Sequence, residues 1–166
     1  MAMDFERFWE LYTDNFPPDE RRTRKDQIKL MENPLYKVEP MMNGEDEAGF
    51  FAYWTLDGFD YVEHMAVDDA CKGQGVGSAF LGEFARRRGK VVLEIVPPED
   101  EISARRKKFY ERLGFVANPY PYVMPKLSEE GSPLPLIVMS YPEMLDPEEF
   151  ERVKNELYWV VYNVKE

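Results

Sequence analysis

Apolar residues recur at helical spacing from the start of the chain. Phe5, Phe8, Trp9, Tyr12 and Phe16 fall on one stripe, Asp4 is placed to cap it, and Pro17-Pro18 stops it, so the pattern predicts an amphipathic helix. Asp19 can cap a second helix running to about Met31, with Ile28, Leu30 and Met31 apolar and Arg21, Arg22, Arg24 and Lys25 polar; Asn33-Pro34 ends it. From Tyr36 the period changes to two. Strands are expected at 36–42, 48–56 and 61–67, joined at Asn43-Gly44 and Asp57-Gly58, which makes an antiparallel meander.

A glycine-rich turn then leads into a helix with Val76, Phe80 and Phe84 on one face and Gly89 as its C-terminal stop. A buried strand at 91–96 follows. Asp100 opens a helix with acids in its first turn, Ile102, Phe109 and Leu113 inward, and Gly114 at its end. Further strands are expected at 115–123 and 134–140. Asp146-Pro147-Glu148-Glu149 combines an N-cap, a proline at the first helical position and a capping-box acid, and starts a last helix with Phe150, Val153, Leu157 and Val161 inward. The segment 118–135, rich in proline, reads as the lid-like loop. The order ααβββαβαββα predicts an α/β (α+β) fold built on a mixed sheet.

Composition narrows the function. With 166 residues and 44% of them hydrophobic, the chain is expected to form one domain, 1–166. A formal net charge of -11 argues against nucleic acid as a partner, because phosphate-backbone binders need a basic surface. One cysteine, Cys71, and one histidine, His64, give neither an internal disulfide nor a Cys/His zinc cluster, so no metal is expected. No apolar run is long enough to span a bilayer, and the start Met1-Ala2-Met3-Asp4 lacks the basic and apolar regions of a signal peptide. The expectation is a cytoplasmic protein with no membrane partner.

The informative segment is 61–78, a strand running through glycines into a helix. Glycines let consecutive backbone N–H groups face an anion, and the helix N-terminus adds partial positive charge, so a phosphate-bearing ligand is the physical inference. The P-loop pattern fails because no Lys-Ser or Lys-Thr follows the glycines. The dinucleotide fingerprint is a closer decoy, since Glu94 stands where its ribose-binding acid would. Its third glycine is missing, however: Phe80 occupies that place, and the preceding strands form a meander rather than a parallel unit.

Lys72-Gly73-Gln74-Gly75-Val76-Gly77 resembles the pyrophosphate loop of the GNAT family, the Gcn5-related N-acetyltransferases, Arg/Gln-x-x-Gly-x-Gly/Ala, with lysine at its first position. Tyr110-Glu111-Arg112-Leu113-Gly114-Phe115 resembles the family's second signature, a helix ending in Tyr-x-x-x-Gly-Phe. The resemblance is sharp from Tyr61 to Phe115. It implies a GNAT-like, mostly antiparallel mixed sheet flanked by helices, and acetyl-CoA as cosubstrate for a small-molecule or peptide amine. The family's usual leading strand has no room before the first helix. The helix after Asp146 is additional to the family core, with packing, dimerisation into a homodimer or the acceptor pocket as its uses.

Acetyl transfer to an amine requires a neutral nucleophile, an aligned carbonyl and a proton for the departing thiolate. The resemblance implies that acetyl-CoA lies between the strand ending at Val67 and the one starting at Val91, on the backbone of Met65 and Val67. Lys72, Gly73, Gln74, Gly75, Val76, Gly77 and Ser78 would hold the pyrophosphate, and Ser103 stands where the family has a cofactor-binding asparagine. Glu63 is the candidate base. Strand alternation puts it on the face of Met65, with a structural carboxylate as the alternative reading, and places His64 on the opposite face, packed. In the family the motif tyrosine protonates the thiolate, which assigns Tyr110; its phenol, with an ordinary pKa of about 10, stays protonated. Arg105, Arg106 and Lys108 read as a solvated face, Arg86–Arg88 as a helix end stabilised by its dipole, and Cys71 as a bystander. The alternative function is a CoA-binding module without turnover.

Overall fold

The computed structural model describes residues 3–129 and 131–164; Met1 and Ala2, part of the segment read for a signal peptide, lie outside the described residues. The first helix, α1 (Phe5–Asn15), is capped by Asp4, whose carboxylate accepts from the Arg7 N–H. A 3-10 turn (Pro18–Glu20) and the shorter α2 (Arg24–Leu30) follow. The second helix therefore starts later than Asp19 would have it: Thr23 is the cap, accepting from the Asp26 N–H. The extended backbone at Arg21 and Thr23 carries Arg22 inward, where its N–H donates to the Tyr12 hydroxyl at 2.8 Å.

The meander forms as its pattern predicts, with β1 (Tyr36–Asn43), β2 (Asp46–Leu56) and β3 (Phe59–Val67) paired antiparallel. Gly44 and Gly58 sit in its two hairpin turns at φ +68° and +86°, a region open to glycine. Next come α3 (Val76–Arg88), β4 (Val91–Ile95), α4 (Glu101–Arg112), β5 (Val116–Ala117), β6 (Val123–Met124), β7 (Leu134–Pro135), β8 (Ile137–Tyr141) and α5 (Pro147–Glu156), which runs on as a π turn (Leu157–Val161). The main sheet has the order β1-β2-β3-β4-β8-β5, with only β3 and β4 parallel.

Three expectations change here. The strands anticipated over 115–123 and 134–140 are each broken in two: β5 pairs with β8 in the main sheet, and β6 joins β7 in a separate hairpin. Pro119 and Pro121 have no N–H for a ladder, and Asn118, buried between them and β5, donates to the Val138 carbonyl at 3.0 Å and accepts from the Leu145 N–H at 2.8 Å. Ile102 is exposed rather than inward. The capping box between Asp100 and Ser103 fixes the first turn of α4 so that Ser103 faces in instead.

Cores lie on both faces of the sheet. One joins Phe8 and Tyr12 of α1 to Phe50, Trp54, Tyr61 and Val92, and takes in Phe150, Val153, Leu157 and Val161. The other packs Leu81 and Phe84 of α3 on Phe51, Tyr53, Val62 and Leu93. Among the described residues no helix is long and apolar enough to cross a membrane.

Candidate active site

The parallel pair β3 and β4 is in register only from Asp60–Val91 to Val62–Leu93, yet β3 runs on to Val67 and β4 to Ile95. Beyond Val62 the strands part, and a cleft of about 550 Å³ opens between them. On its other side β3 carries a bulge: Val62 faces Tyr53 and His64 faces Ala52, which leaves Glu63 as the extra residue. The bulge overturns the alternation expected from sequence. Glu63 and His64 both lie on the α1 side, Glu63 accepting from the Trp54 indole at 2.8 Å and His64 edge-on to Tyr12 and Phe16. Met65 turns to the opposite side, against α3, where a Cβ on Gly77 would stand 3.3 Å from its Cε.

The glycine turn is built as its residues suggest. Gly73 and Gly75 have φ of +83° and +76°, with open space where their Cβ atoms would be. Gly75 leaves the start of α3 without a side-chain cap, so its first N–H groups face outward unclaimed by a side chain. Val76 and Gly77 are buried, Ser78 is half-buried, and Gly77 lets α3 approach β3. Gln74 accepts from the Asn43 amide at 2.6 Å. Lys72 is exposed and reaches Asp69 at 2.8 Å, a contact that contributes little in water.

The cleft brings together six of the residues singled out from sequence: Glu63, Met65, Val67, Lys72, Ser103 and Tyr110. The remaining ones, Gly73 to Ser78, form the loop and first turn beside it. The Ser103 hydroxyl donates to the Asp100 carboxylate at 2.7 Å, so its first duty is to the helix cap. Burial pushes the Tyr110 phenol up, which keeps it protonated at neutral pH. Arg105 pairs with Glu101 at 3.3 Å on the solvated face, whereas Arg106 lines the cleft.

Glu63 is sealed against Arg22, 2.9 Å from its guanidinium, with side-chain exposures of 2% and 8%. Burial alone would raise its carboxyl; Arg22, with the Trp54 hydrogen bond, holds it below its ordinary value. Burial lowers His64, which stays neutral, its Nε2 2.7 Å from the Glu20 carbonyl oxygen.

Glu94 is the residue that sequence reading missed, having met it only as the acid of a rejected fingerprint. It lies on β4 in the same cleft, partly accessible, and accepts from the hydroxyls of Tyr61, Tyr122 and Tyr162. One local signal was available: a lone carboxylate in Val91-Val92-Leu93-Glu94-Ile95, a strand otherwise fit for burial. Tyr162 follows the π turn, so the C-terminal helix serves both packing and this pocket.

Comparison with known proteins bears on the chemistry. The family model for the acetyltransferase (GNAT) domain matches residues 41–117. A GNAT-family protein of Bacteroides thetaiotaomicron superposes with a TM-score of 0.89 at 30% identity, covering 97% of this chain and 93% of its own. The ribosomal-protein-S18-alanine N-acetyltransferase of Escherichia coli shares the fold at a TM-score of 0.57 and 19% identity, over 89% of this chain and 95% of its own. An aminoglycoside 6'-N-acetyltransferase solved with coenzyme A does so at 0.54 and 15%, over 81% and 88%. The Bacillus subtilis protein YjbC is 21% identical over 110 residues, 65% of this chain; the match spans only 56% of that protein's length.

Proposed function

This chain belongs to the GNAT family of acetyltransferases, and from that premise we propose that it moves acetyl from acetyl-CoA directly to a primary amine, with residues 1–166 working as one acyltransferase domain. The observation that carries the reading is the parting of β3 and β4 beside an uncapped helix start with two glycines at positive φ. A Cβ at Gly73 or Gly75 would project into the space the pyrophosphate needs, so the residues present fit the group. When bound, acetyl-CoA supplies an activated acyl carbon and a thiolate leaving group.

The loop from Lys72 to Ser78 binds the pyrophosphate through backbone N–H groups. Met65 and Val67 line the arm on its way into the cleft, with Ser103 beside it. Tyr110, its phenol held protonated by burial, donates to the departing sulfur. The net charge of -11 favours a cationic acceptor such as a polyamine, an aminoglycoside-like amine or a lysine side chain. Glu63 belongs to the wall of the acceptor side, where its ion pair with Arg22 fixes its charge.

Free thiol release from acetyl-CoA, followed across a panel of amines, tests the reading. At least one primary amine should release thiol in step with its own acetylation. Coenzyme A binding without release for every amine would leave a binding module. Tyr110→Phe should lower kcat while leaving acetyl-CoA affinity almost unchanged, because only the proton to sulfur is lost.

A further inference from the structure

One carboxylate in the cleft is not used by the mechanism above. Glu94 sits where β3 and β4 have parted, on the side of the sheet that carries Tyr61, Glu63 and His64. Its Oε1 accepts from Tyr61 and from Tyr162 at 2.6 Å, its Oε2 accepts from Tyr122, and the Tyr61 and Tyr162 oxygens lie 2.9 Å apart. A carboxylate offers about four lone-pair sites, so three phenols leave room for one further donor. Among the described residues no lysine or arginine forms an ion pair with it, in contrast to Glu63 with Arg22 and Asp60 with Arg88. Packing alone does not call for this arrangement. An apolar residue at this position would avoid the cost of placing a carboxylate among phenols without a counter-charge. The missing positive charge is what a cationic acceptor would bring.

We propose that Glu94 is the catalytic base, taking a proton from an acceptor that enters the cleft as a primary ammonium ion. The inference rests on the N-acetyltransferase reading. The first proton passes from nitrogen to Oε2, which carries a single phenol, and the freed lone pair attacks the thioester carbon. The C–N bond forms, the C–S bond breaks, the amide nitrogen loses a second proton, and the sulfur is protonated through the Tyr110 phenol. Glu94 then returns its proton to solvent. An ammonium ion and a thioester thus give an amide, a thiol and one proton.

The layout suits this division. Glu94 shares its side of the sheet with α1 and α5, and Tyr110 lies on α4 with the core of the other side, yet both line the same cleft. The amine is deprotonated on one side of the reacting carbon and the thiol protonated on the other. The groups facing Glu94 are Tyr61 and Glu63 on β3, Tyr122 before β6, and Tyr158 and Tyr162 at the C-terminal helix. Burial pushes its carboxyl up to about 7 against the pull of the three phenols, with the Glu63 charge adding to the rise. A base of that strength suits neutral pH, whereas Glu63, held low, accepts protons poorly.

Thiol release measured from pH 5 to 9 with a primary alkylamine, and with an alkoxyamine that is already neutral in that range, tests the assignment. Glu94→Gln should lower kcat/KM for the alkylamine by about 10²-fold or more and replace the parent's levelling above about pH 7 with a rise that continues to pH 9, as the neutral fraction of an amine of pKa about 10.4 grows. Its acetyl-CoA affinity should hold within about twofold, and the alkoxyamine rate should fall far less. A folded, acetyl-CoA-binding variant whose profile superimposes on the parent, or which loses both acceptors equally, overturns the proposal. Should Glu94→Gln fail to bind acetyl-CoA, Tyr162→Phe decides. Removing a donor to the charged form raises the carboxyl, so the levelling should move to higher pH; levelling at an unmoved pH overturns the proposal. A parent that releases no thiol with any amine removes the acetyltransferase reading itself, which distinguishes that failure from this one.

Discussion

Glu63 and Glu94 face one cleft, and their neighbours drive them in opposite directions. Burial raises both, but Glu63 meets a guanidinium and ends below its ordinary value, while Glu94 meets phenols and rises to about 7. The two therefore shape stability with opposite signs. The contribution of Glu63 is present above the unfolded carboxyl pKa of about 4.3 and is lost as pH falls through its lower folded value. For Glu94 the folded value is the higher one, so the fold loses stability as pH rises from about 4.3 towards 7, on the order of 3 kcal/mol. Urea midpoints taken across that window should show Glu94→Gln gaining on the parent as pH rises; parallel curves would contradict the raised carboxyl. Arg22→Met strips the counter-charge from a sealed carboxylate and should cost about 3–5 kcal/mol near neutral pH. Adding Glu63→Gln to Arg22→Met should recover part of that loss, since the uncompensated charge is gone.

At the scale of elements, a single inserted residue decides which side chains lie on the α1 side of the cleft. Counting by twos along β3 assumes an unbroken ladder, and the bulge at Glu63 breaks it, so Glu63 and His64 share a side that alternation denies them. Caps were legible because they are local: Asp4, Asp100 and Asp146 each cap the helix that their positions announced. Asp19 and Thr23 are both competent caps; Asp19 falls in the 3-10 turn, and Thr23 caps the helix next to the inward-facing Arg22. Close approaches between elements were equally hidden. A Cβ on Gly49 of β2 would lie 2.1 Å from the Ala66 carbonyl oxygen, a backbone atom of the neighbouring strand. Gly49→Ala should therefore destabilise by about 1–3 kcal/mol, read from the urea midpoint. Gly77→Ala meets the flexible end of Met65 at 3.3 Å and Val67 at an ordinary 3.5 Å contact, and the better helix propensity of alanine, about 1 kcal/mol, offsets the closer one. A midpoint loss for Gly77→Ala as large as that for Gly49→Ala would contradict this difference. Gly75→Asp tests the loop instead: aspartate tolerates positive φ better than most residues, so the fold should persist while its charge abolishes the thermal shift given by acetyl-CoA.

Across the whole molecule, the legible part of the candidate site is what two short motifs carry, Lys72 to Ser78 and Tyr110 to Phe115. The phenols around Glu94 stand 33, 28 and 68 residues away from it, and no periodicity connects residues at such distances; only the folded sheet and its C-terminal helix do. Net charge is also a property of the whole. If the proposed reaction holds, a chain of net charge -11 attracts a cationic acceptor and repels acetyl-CoA, whose phosphates are negative, so the two substrates should respond to salt in opposite ways. Screening lengths fall from about 30 Å at 0.01 M salt to about 8 Å at 0.15 M, which removes the long-range field but leaves contacts inside the cleft. Over that range kcat/KM for a polyamine should fall severalfold, and kcat/KM for acetyl-CoA should rise or stay level. In the proposed mode of binding, the glycine loop would hold phosphate through backbone N–H groups with one exposed lysine, Lys72, beside it, so little short-range attraction to acetyl-CoA should be lost to added salt. Initial rates across a salt series, with each substrate varied in turn, provide the measurement. A fall of equal size for both substrates would mean that acetyl-CoA binding depends on exposed cations such as Lys72 and Arg106 rather than on the backbone of the loop. A polyamine rate insensitive to salt would mean that the acceptor is recognised only after it has entered the cleft, by the carboxylate waiting there.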